Sequence, residues 1–460
     1  RETCAATNYL LPIALAILAP VAYHAYTTFR QTPTNHQPPK PPVVTTPNNE
    51  PSNCPSEWKA CPATGGVDWV EALARHVPDA DTQPCYAEAL LSPMAVPGMH
   101  VVCVLPGAAG FEATLAVYKD MEKRDPFLLY ASTKAASISQ LIDSIFFKAK
   151  LPPRKPGYQP AALFTDTGVR VVSLSGALAS TPQRLILIEG GQWLWPPVDV
   201  GHTHRLENVR GPGITTQIIT KALRPLVVSV ENFLSGGEAE HIISRAKPFI
   251  KKSGVALKDV DKGKAAKEFR TSSQYFLPTD GDSKLEEVDR RVMELTRVPI
   301  SHAEYIQVLR YEHMQHYAAH HDFFDPDSYR SNPEMLASVE HGAKNRLATV
   351  FFYLNNVSAG GQTNFPRAYT PEQPHGGPQP RDYFDCSKGL SVYPQEGKII
   401  IFYSLLPNGE QDDYSLHGGC DVLNAEETKW SANFWLWNKP YHFNSPARKK
   451  QTAAFTSKYR

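Results

Sequence analysis

The sequence predicts a multidomain chain: an all-β sandwich or jelly-roll with flanking helices in the C-terminal half, preceded by a smaller α/β unit. Three observations predict it. At 460 residues the chain is too long for one compact core. From about residue 214 onward, strand candidates dominate: "LRPLVVSVENFL", "YIQVLRYE", "RLATVFFYLNNV", "LSVYPQEGKIIIFYSLL" and "SANFWLWN", separated by Gly, Pro, Asn and Asp turns. Before them, "SGGEAEHIISRAKPFIKK" and "SKLEEVDRRVMELTRV" carry helical periodicity, so helices buttress one side of the strands. Charge is balanced at 47 Lys+Arg against 46 Asp+Glu, which gives no footprint for nucleic acid.

The elements follow in order. Residues 1–30 contain "NYLLPIALAILAPVAYHAY", apolar and free of Asp, Glu, Lys and Arg but interrupted by Pro12 and Pro20. It reads as a signal-anchor at the short end of the ~17–25 residues a membrane span needs, with a cleaved secretory signal as the alternative. Residues 31–66 are Pro-rich and read as an extended spacer; Cys54 and Cys61 near its end could bridge locally. Seven cysteines in all leave at least one free or paired between chains. In residues 67–191 the strand candidate "HVVCVLP" is followed by the helical "GFEATLAVYKDMEKR", then "FLLYAS", the helix "SISQLIDSIFFKAK", the hairpin-like pair "AALFTD" and "RVVSLSG", and last "TPQRLILIEGG", a βαβαββα order. This order resembles a thioredoxin-like fold in pattern only. The turn where that family keeps its CxxC reads "LPGAAGF", so dithiol exchange is not expected. Residues 192–213 form a connector, 214–440 the β-rich domain, and 441–460 a basic tail expected to be disordered.

The chemistry gathers at "YAAHHDFFDP", residues 317–326. His320 and Asp322 are two apart, which on an extended strand puts both side chains on one face. An imidazole and a carboxylate on one face make two-thirds of a two-His-one-carboxylate site, which holds Fe(II) and leaves positions open. A second imidazole must come from elsewhere, and "DDYSLHGGCDVL" offers His417. Lys429 in "ETKWSANFW" then offers a point charge for the far carboxylate of a bidentate keto-acid. Taken singly these signals are weak. His-x-Asp recurs by chance, His313, His316 and His321 compete with His320, and a lone His or Lys is most often a solvated loop residue.

Order and context carry more. From about residue 226 to 437 the sequence resembles the prolyl 4-hydroxylase catalytic domain, plant and algal type, of the Fe(II)/2-oxoglutarate dioxygenases. The stretches are "NFLSGGEAEHII", "FRTSSQYFL", "IQVLRYEHMQHYAAHHDFF", "RLATVFFYLNNVSAGGQTNFP", "KGLSVYPQEGKIIIFYSLLPNG", "SLHGGCDVL" and "KWSANFW". The resemblance implies a double-stranded β-helix (jelly-roll). It also implies metal ligands His320, Asp322 and His417, with His321 only the intervening residue. Lys429, Tyr311 and Thr363 would hold 2-oxoglutarate, and Arg346 and Trp435 would lie near the peptide. The segment "KDVDKGKAAK" would be a lid, and Cys386 and Cys420 match family cysteines that could be bridged.

The implied reaction couples oxidative decarboxylation of 2-oxoglutarate by O2 to hydroxylation of peptidyl proline at C4 in secretory-pathway proteins. Ascorbate would keep the iron reduced. The implied location is the endoplasmic reticulum or Golgi membrane, single-pass, with the catalytic domain lumenal and a Pro-rich protein as substrate. Three departures stand out. The interval from His417 to Lys429 is about two residues longer than usual, Asp421 sits where Pro is common, and Phe434 where many members have Lys. Two other readings are a sister dioxygenase acting on a different residue, and a non-catalytic lumenal chaperone for Pro-rich peptides.

Overall fold

The computed structural model describes residues 87–459, apart from 107–112, 132–136, 154, 174–182, 371–372, 374–375, 378–384 and 442–444. The apolar segment 8–26 and the Pro-rich residues 31–66 lie outside the described residues. The expected single-pass endoplasmic-reticulum or Golgi placement is corrected. Among the described residues, no helix is long and apolar enough to cross a membrane.

The first sheet has five strands, ordered Phe127–Ala131, Ala113–Tyr118, Met99–Pro106, Gln183–Ile188, Ala162–Thr165. Every pairing in it is antiparallel. A thioredoxin-like βαβ unit requires parallel neighbours joined by a helical crossover, so that expectation is overturned. The cause is local. Within the expected helix "GFEATLAVYKDMEKR", the run Ala113–Tyr118 is buried on both faces and pairs directly with Val101–Pro106. The expected helix at Ile138–Lys148 does form. Ser137 caps it by accepting from the Gln140 amide at 3.3 Å, while the Gln140 side chain accepts from the Ser137 amide at 2.7 Å.

Side-chain alternation decides where this sheet sits. Val102, Val104, Leu115 and Val117 face the helix, meeting Leu141, Ile142 and Ile145. Val101, Cys103, Ala116, Phe164, Ile186 and Ile188 face the other way, into the core of the C-terminal half. Trp193 and Trp195, which open the expected connector, are its keystones. Trp195 Nε1 donates to the Leu295 carbonyl at 2.9 Å, and its amide donates to the Tyr403 hydroxyl at 3.3 Å.

The second sheet has nine strands, ordered Thr203–Glu207, Thr215–Ala222, Val227–Val230, Ile399–Tyr403, Arg346–Tyr353, Lys429–Trp437, Ile306–Tyr311, Ser273–Leu277, Lys251–Lys252. A third, of four strands, runs Tyr317–His320, His417–Gly419, Thr363–Phe365, Leu390–Val392. Alternation again separates two layers. Ile399 and Ile401 join the core shared with the helices, whereas Ile400 and Phe402 point toward Phe365 and Val392 of the small sheet. The two antiparallel sheets with few helices fit the expected jelly-roll.

Helices Gly236–Ala246 and Ser283–Thr296 form where periodicity predicts them, capped by Ser235 and Asp282. The first ends ahead of Pro248. The basic tail is not disordered as expected. Pro446–Tyr459 is a helix that buries Arg448, Phe455 and Tyr459. Its Gln451 side chain donates to the Glu286 carbonyl at 2.9 Å, and Lys458 pairs with Glu294 at 2.8 Å.

A shared core predicts shared melting. Trp195→Ala is expected to destabilise the protein by about 3–5 kcal/mol, with one urea transition seen alike by fluorescence and far-UV circular dichroism. A first sheet that melts separately and earlier would contradict that.

Candidate active site

The centre of the site is a cross-strand pair. Strands Tyr317–His320 and His417–Gly419 run antiparallel with His320 directly opposite His417, and the two imidazole centroids lie 4.4 Å apart. Asp322, just beyond the first strand, turns its carboxylate between them. His320 Nε2 is 3.7 Å from Asp322 Oδ1, and His417 Nε2 is 3.6 Å from Asp322 Oδ2.

The other nitrogen of each ring is committed to backbone. His320 Nδ1 donates to the Ala318 carbonyl at 2.8 Å, and His417 Nδ1 to the Ser415 carbonyl at 3.0 Å. Those bonds fix the tautomer, so both Nε2 lone pairs face the carboxylate. Burial and the neighbouring His417 push His320 well below an ordinary imidazole pKa, which keeps it neutral. Burial raises the Asp322 carboxyl, while Arg346 and a 2.5 Å hydrogen bond from the Thr349 hydroxyl favour its carboxylate form.

Two imidazole nitrogens and one carboxylate oxygen, all within 4.8 Å of one another, are a donor set suited to Fe(II). Phe365 and Phe402 wall His417 at centroid distances of 5.8 and 4.4 Å, and Tyr317 stacks on His320 at 3.7 Å.

The competing histidines sort themselves by geometry. His321 turns away to the Asp413 carbonyl at 3.1 Å, and His316 meets Asp421 at 2.8 Å. A second His/acid cluster, His100 with Asp120 and Glu189, went unnoticed in the sequence. Its Nδ1 accepts from the Asp120 amide at 3.0 Å and its Nε2 meets Glu189 at 3.0 Å, so both ring nitrogens are spent within the protein.

Lys429 begins its strand opposite Tyr311 and is 1% exposed. Its Nζ lies 5.0, 5.5 and 6.0 Å from the Tyr311, Phe351 and Tyr353 ring centroids. The extra residues ahead of it are absorbed by a turn at 423–427 with Leu423 exposed, so the lysine still reaches the interior. Burial alone pulls its ammonium down to about 7. Thr363 takes a hydrogen bond from the Tyr353 hydroxyl at 2.9 Å, and Tyr311 lies buried beside the ammonium. Tyr311 and Tyr353 thus share one buried cluster, with the Lys429 ammonium beside both rings.

Arg346 is 3.6 Å from the Trp435 ring centroid, and its guanidinium grips Glu304 through Nε at 2.7 Å and Nη2 at 3.1 Å. The Trp435 indole nitrogen is buried and has no hydrogen-bond partner among the described residues. Cys386 and Cys420 form a disulfide, as the family resemblance suggested. Sequence reasoning missed Thr349, Glu304 and Tyr353. A lone hydroxyl inside the apolar run "RLATVFFY" was the signal available for the first.

A lysine whose folded pKa is depressed costs stability. That cost is absent above its unfolded value of about 10.4, grows as pH falls, and is full below about 7. Lys429→Met is therefore expected to stabilise the protein by a few kcal/mol in urea denaturation at pH 6, the gain fading toward pH 10. An equal gain at both pH values would mean the buried ammonium is not its source.

Comparison with known proteins agrees with this geometry. The 2OG-Fe(II) oxygenase superfamily profile matches residues 306–437. Probable prolyl 4-hydroxylase 4 of Arabidopsis thaliana is 37% identical over 214 residues, covering 46% of this chain and 67% of its own. Probable prolyl 4-hydroxylase 3 of the same plant is 34% identical over 247 residues, covering 52% and 80%. Among solved structures, the viral collagen prolyl hydroxylase of Paramecium Bursaria Chlorella virus-1 in its 2OG complex is similar at 21% identity and TM-score 0.31, covering 46% of this chain and 95% of that one. This chain belongs to the prolyl 4-hydroxylase family of 2OG-Fe(II) oxygenases.

Proposed function

We propose that this protein is a 2-oxoglutarate- and Fe(II)-dependent dioxygenase that hydroxylates peptidyl proline to 4-hydroxyproline. The observation that carries the reading is the His320–Asp322–His417 cluster, with both imidazoles oriented through their backbone-bonded nitrogens. His320, Asp322 and His417 would hold the iron. When bound, iron with 2-oxoglutarate and O2 supplies an oxidative decarboxylation that yields succinate and carbon dioxide and places the second oxygen atom on the substrate carbon. Ascorbate is the reductant we assign for iron oxidised in turnovers without product.

The chain's own groups bind and orient. Lys429 meets the distal carboxylate of 2-oxoglutarate at the buried pocket end, where a dicarboxylate supplies the counter-charge the ammonium lacks. Tyr311 and Thr363 offer hydroxyls to the same ligand. Phe365 and Phe402 keep water from the His417 side. Arg346 and Trp435 position the peptide. A buried indole N–H without a protein partner is a ready donor to a peptide carbonyl.

The test uses the full chain with Fe(II), ascorbate and 2-oxoglutarate, following succinate with and without proline-rich peptides and locating added oxygen by mass spectrometry. Peptide-dependent succinate with oxygen on proline is expected. Succinate without peptide stimulation would point to another substrate, and no turnover at all to a binding module.

His417→Ala is expected to abolish turnover and iron retention together, read by succinate release and metal analysis. Lys429→Met should raise the KM for 2-oxoglutarate by about two orders of magnitude, with the peptide KM little changed. Because the Lys429 ammonium titrates near 7 in the free protein, 2-oxoglutarate binding above that pH must take up a proton at Nζ. The Kd for 2-oxoglutarate should then weaken by up to about tenfold per pH unit above 7, and calorimetry in buffers of different ionisation enthalpy should record the uptake. A flat Kd from pH 7 to 9 would contradict this.

A further inference from the structure

We infer that Arg448, on the C-terminal helix Pro446–Tyr459, is a positioning residue for the peptide-facing Arg346–Trp435 pair, acting through Glu304. The inference rests on the peptide reading above. Arg448 lies beyond the residues matched by the family profile, and nothing in the metal cluster requires it.

The chain of contacts is continuous. Arg448 is 1% exposed; Nη1 donates to the Ala303 carbonyl at 2.8 Å and Nη2 to the Glu304 carbonyl at 3.2 Å. Its guanidinium lies 4.7 Å from the Tyr305 ring centroid, and Asp289 is 3.8 Å away. Three consecutive residues, 303–305, are thus held from the outer side by one side chain.

On the inner side, the Glu304 amide donates to the Trp435 carbonyl at 3.0 Å. The Glu304 carboxylate takes both hydrogen bonds from Arg346 and a third from Trp437 Nε1 at 2.8 Å. Arg346 in turn covers the Trp435 ring at 3.6 Å. Residues 303–305 join a short 3-10 turn to a strand, and their backbone pairing is a single isolated bridge, Ala303 with Leu436. The buried carboxylate has little freedom only while that backbone is held. A carboxylate displaced by an ångström would carry Arg346 with it, and misplacement on that scale costs about tenfold or more in a positioned reaction.

A buried arginine that satisfies two carbonyls could equally serve stability alone, and the experiment separates the two roles. Full-chain Arg448→Ala, Arg448→Lys, Gln451→Ala and Lys450→Ala proteins are compared with wild type in peptide-dependent succinate release. Gln451→Ala weakens helix docking through Glu286 without touching Glu304, and Lys450 is exposed. Arg448→Ala is expected to raise the peptide KM by about tenfold, with the 2-oxoglutarate KM and peptide-independent succinate release within about twofold. Arg448→Lys, which keeps the charge but loses the fork, should fall between and serves if the alanine protein does not fold. Gln451→Ala should lower Tm yet leave the peptide KM at the wild-type value, as should Lys450→Ala.

An unchanged peptide KM in Arg448→Ala, or an equal rise in Gln451→Ala, overturns the inference. If the wild type shows no peptide-stimulated turnover, the functional reading fails by itself. Near-UV circular dichroism of the tryptophans then decides the positioning. A change in Arg448→Ala but not in Gln451→Ala supports it, and matched spectra overturn it.

Discussion

The structure depends on one constraint: two imidazoles must face a carboxylate across a strand pair without closing on it. Left alone, His and Asp at this range would form a hydrogen-bonded ion pair. Here each Nδ1–H is already spent on the carbonyl two residues back, from Ala318 for His320 and Ser415 for His417. The Nε2 atoms are therefore the ones left to face the carboxylate, an arrangement that a cation between them makes favourable. The 3.6 and 3.7 Å separations fit that role better than they fit direct hydrogen bonds. The Thr349 hydroxyl completes the arrangement by donating to Asp322 from the large sheet, which ties the cluster to both layers.

The same layering accounts for the lysine. Residues on one face of the large sheet pack on helices and, through Trp193 and Trp195, on the first sheet. Residues on the other face, Leu309, Tyr311, Phe351 and Tyr353 among them, line the space beneath the small sheet. Lys429 enters that space at the strand end, where aromatic rings replace water around its ammonium. Burying a cation there without a protein anion is unfavourable for folding and favourable for capturing a dicarboxylate. Backbone geometry makes room for it. Gly361, at φ +68°, leaves the lysine stem free, and a Cβ there would stand 3.3 Å from Lys429 Cδ.

The site was legible in the sequence because His320, His417 and Lys429 sit on strands, with Asp322 two residues beyond the first of them. His-x-Asp reports one face of an extended segment, and His417 and Lys429 follow in the order that strand pairing needs. Glu304 and Arg448 were not legible, since both act across irregular backbone and beyond the β-rich stretch. The N-terminal topology failed for a different reason. "ATLAVY" mixes alanine and leucine with β-branched and aromatic residues, so periodicity alone left helix and strand balanced, and direct pairing with Val101–Pro106 decided. The C-terminal helix was misread because charge dominates its composition, whereas its structure turns on three buried residues, Arg448, Phe455 and Tyr459.

Asp421 shows how a departure from the family pattern can be absorbed. Its backbone carbonyl accepts from the Gly361 amide at 2.8 Å, a bond that a proline at this position would also offer. Its side chain adds what proline cannot, meeting His316 Nδ1 at 2.8 Å. His316 precedes the strand that ends in His320, and Asp421 follows the strand that begins with His417. The contact therefore clasps the two strands that carry His320 and His417 just outside their Tyr317–Gly419 register pair. Cys420, between that pair and the clasp, is anchored to Cys386 by the disulfide. Close by, Gly360 must lack a side chain, because a Cβ there would stand 2.1 Å from the Asp421 carbonyl oxygen. The His417 strand is thus gripped by its neighbour strand, by the glycine loop beside Lys429 and by a covalent link. Three independent restraints thus act on the one short strand that carries His417.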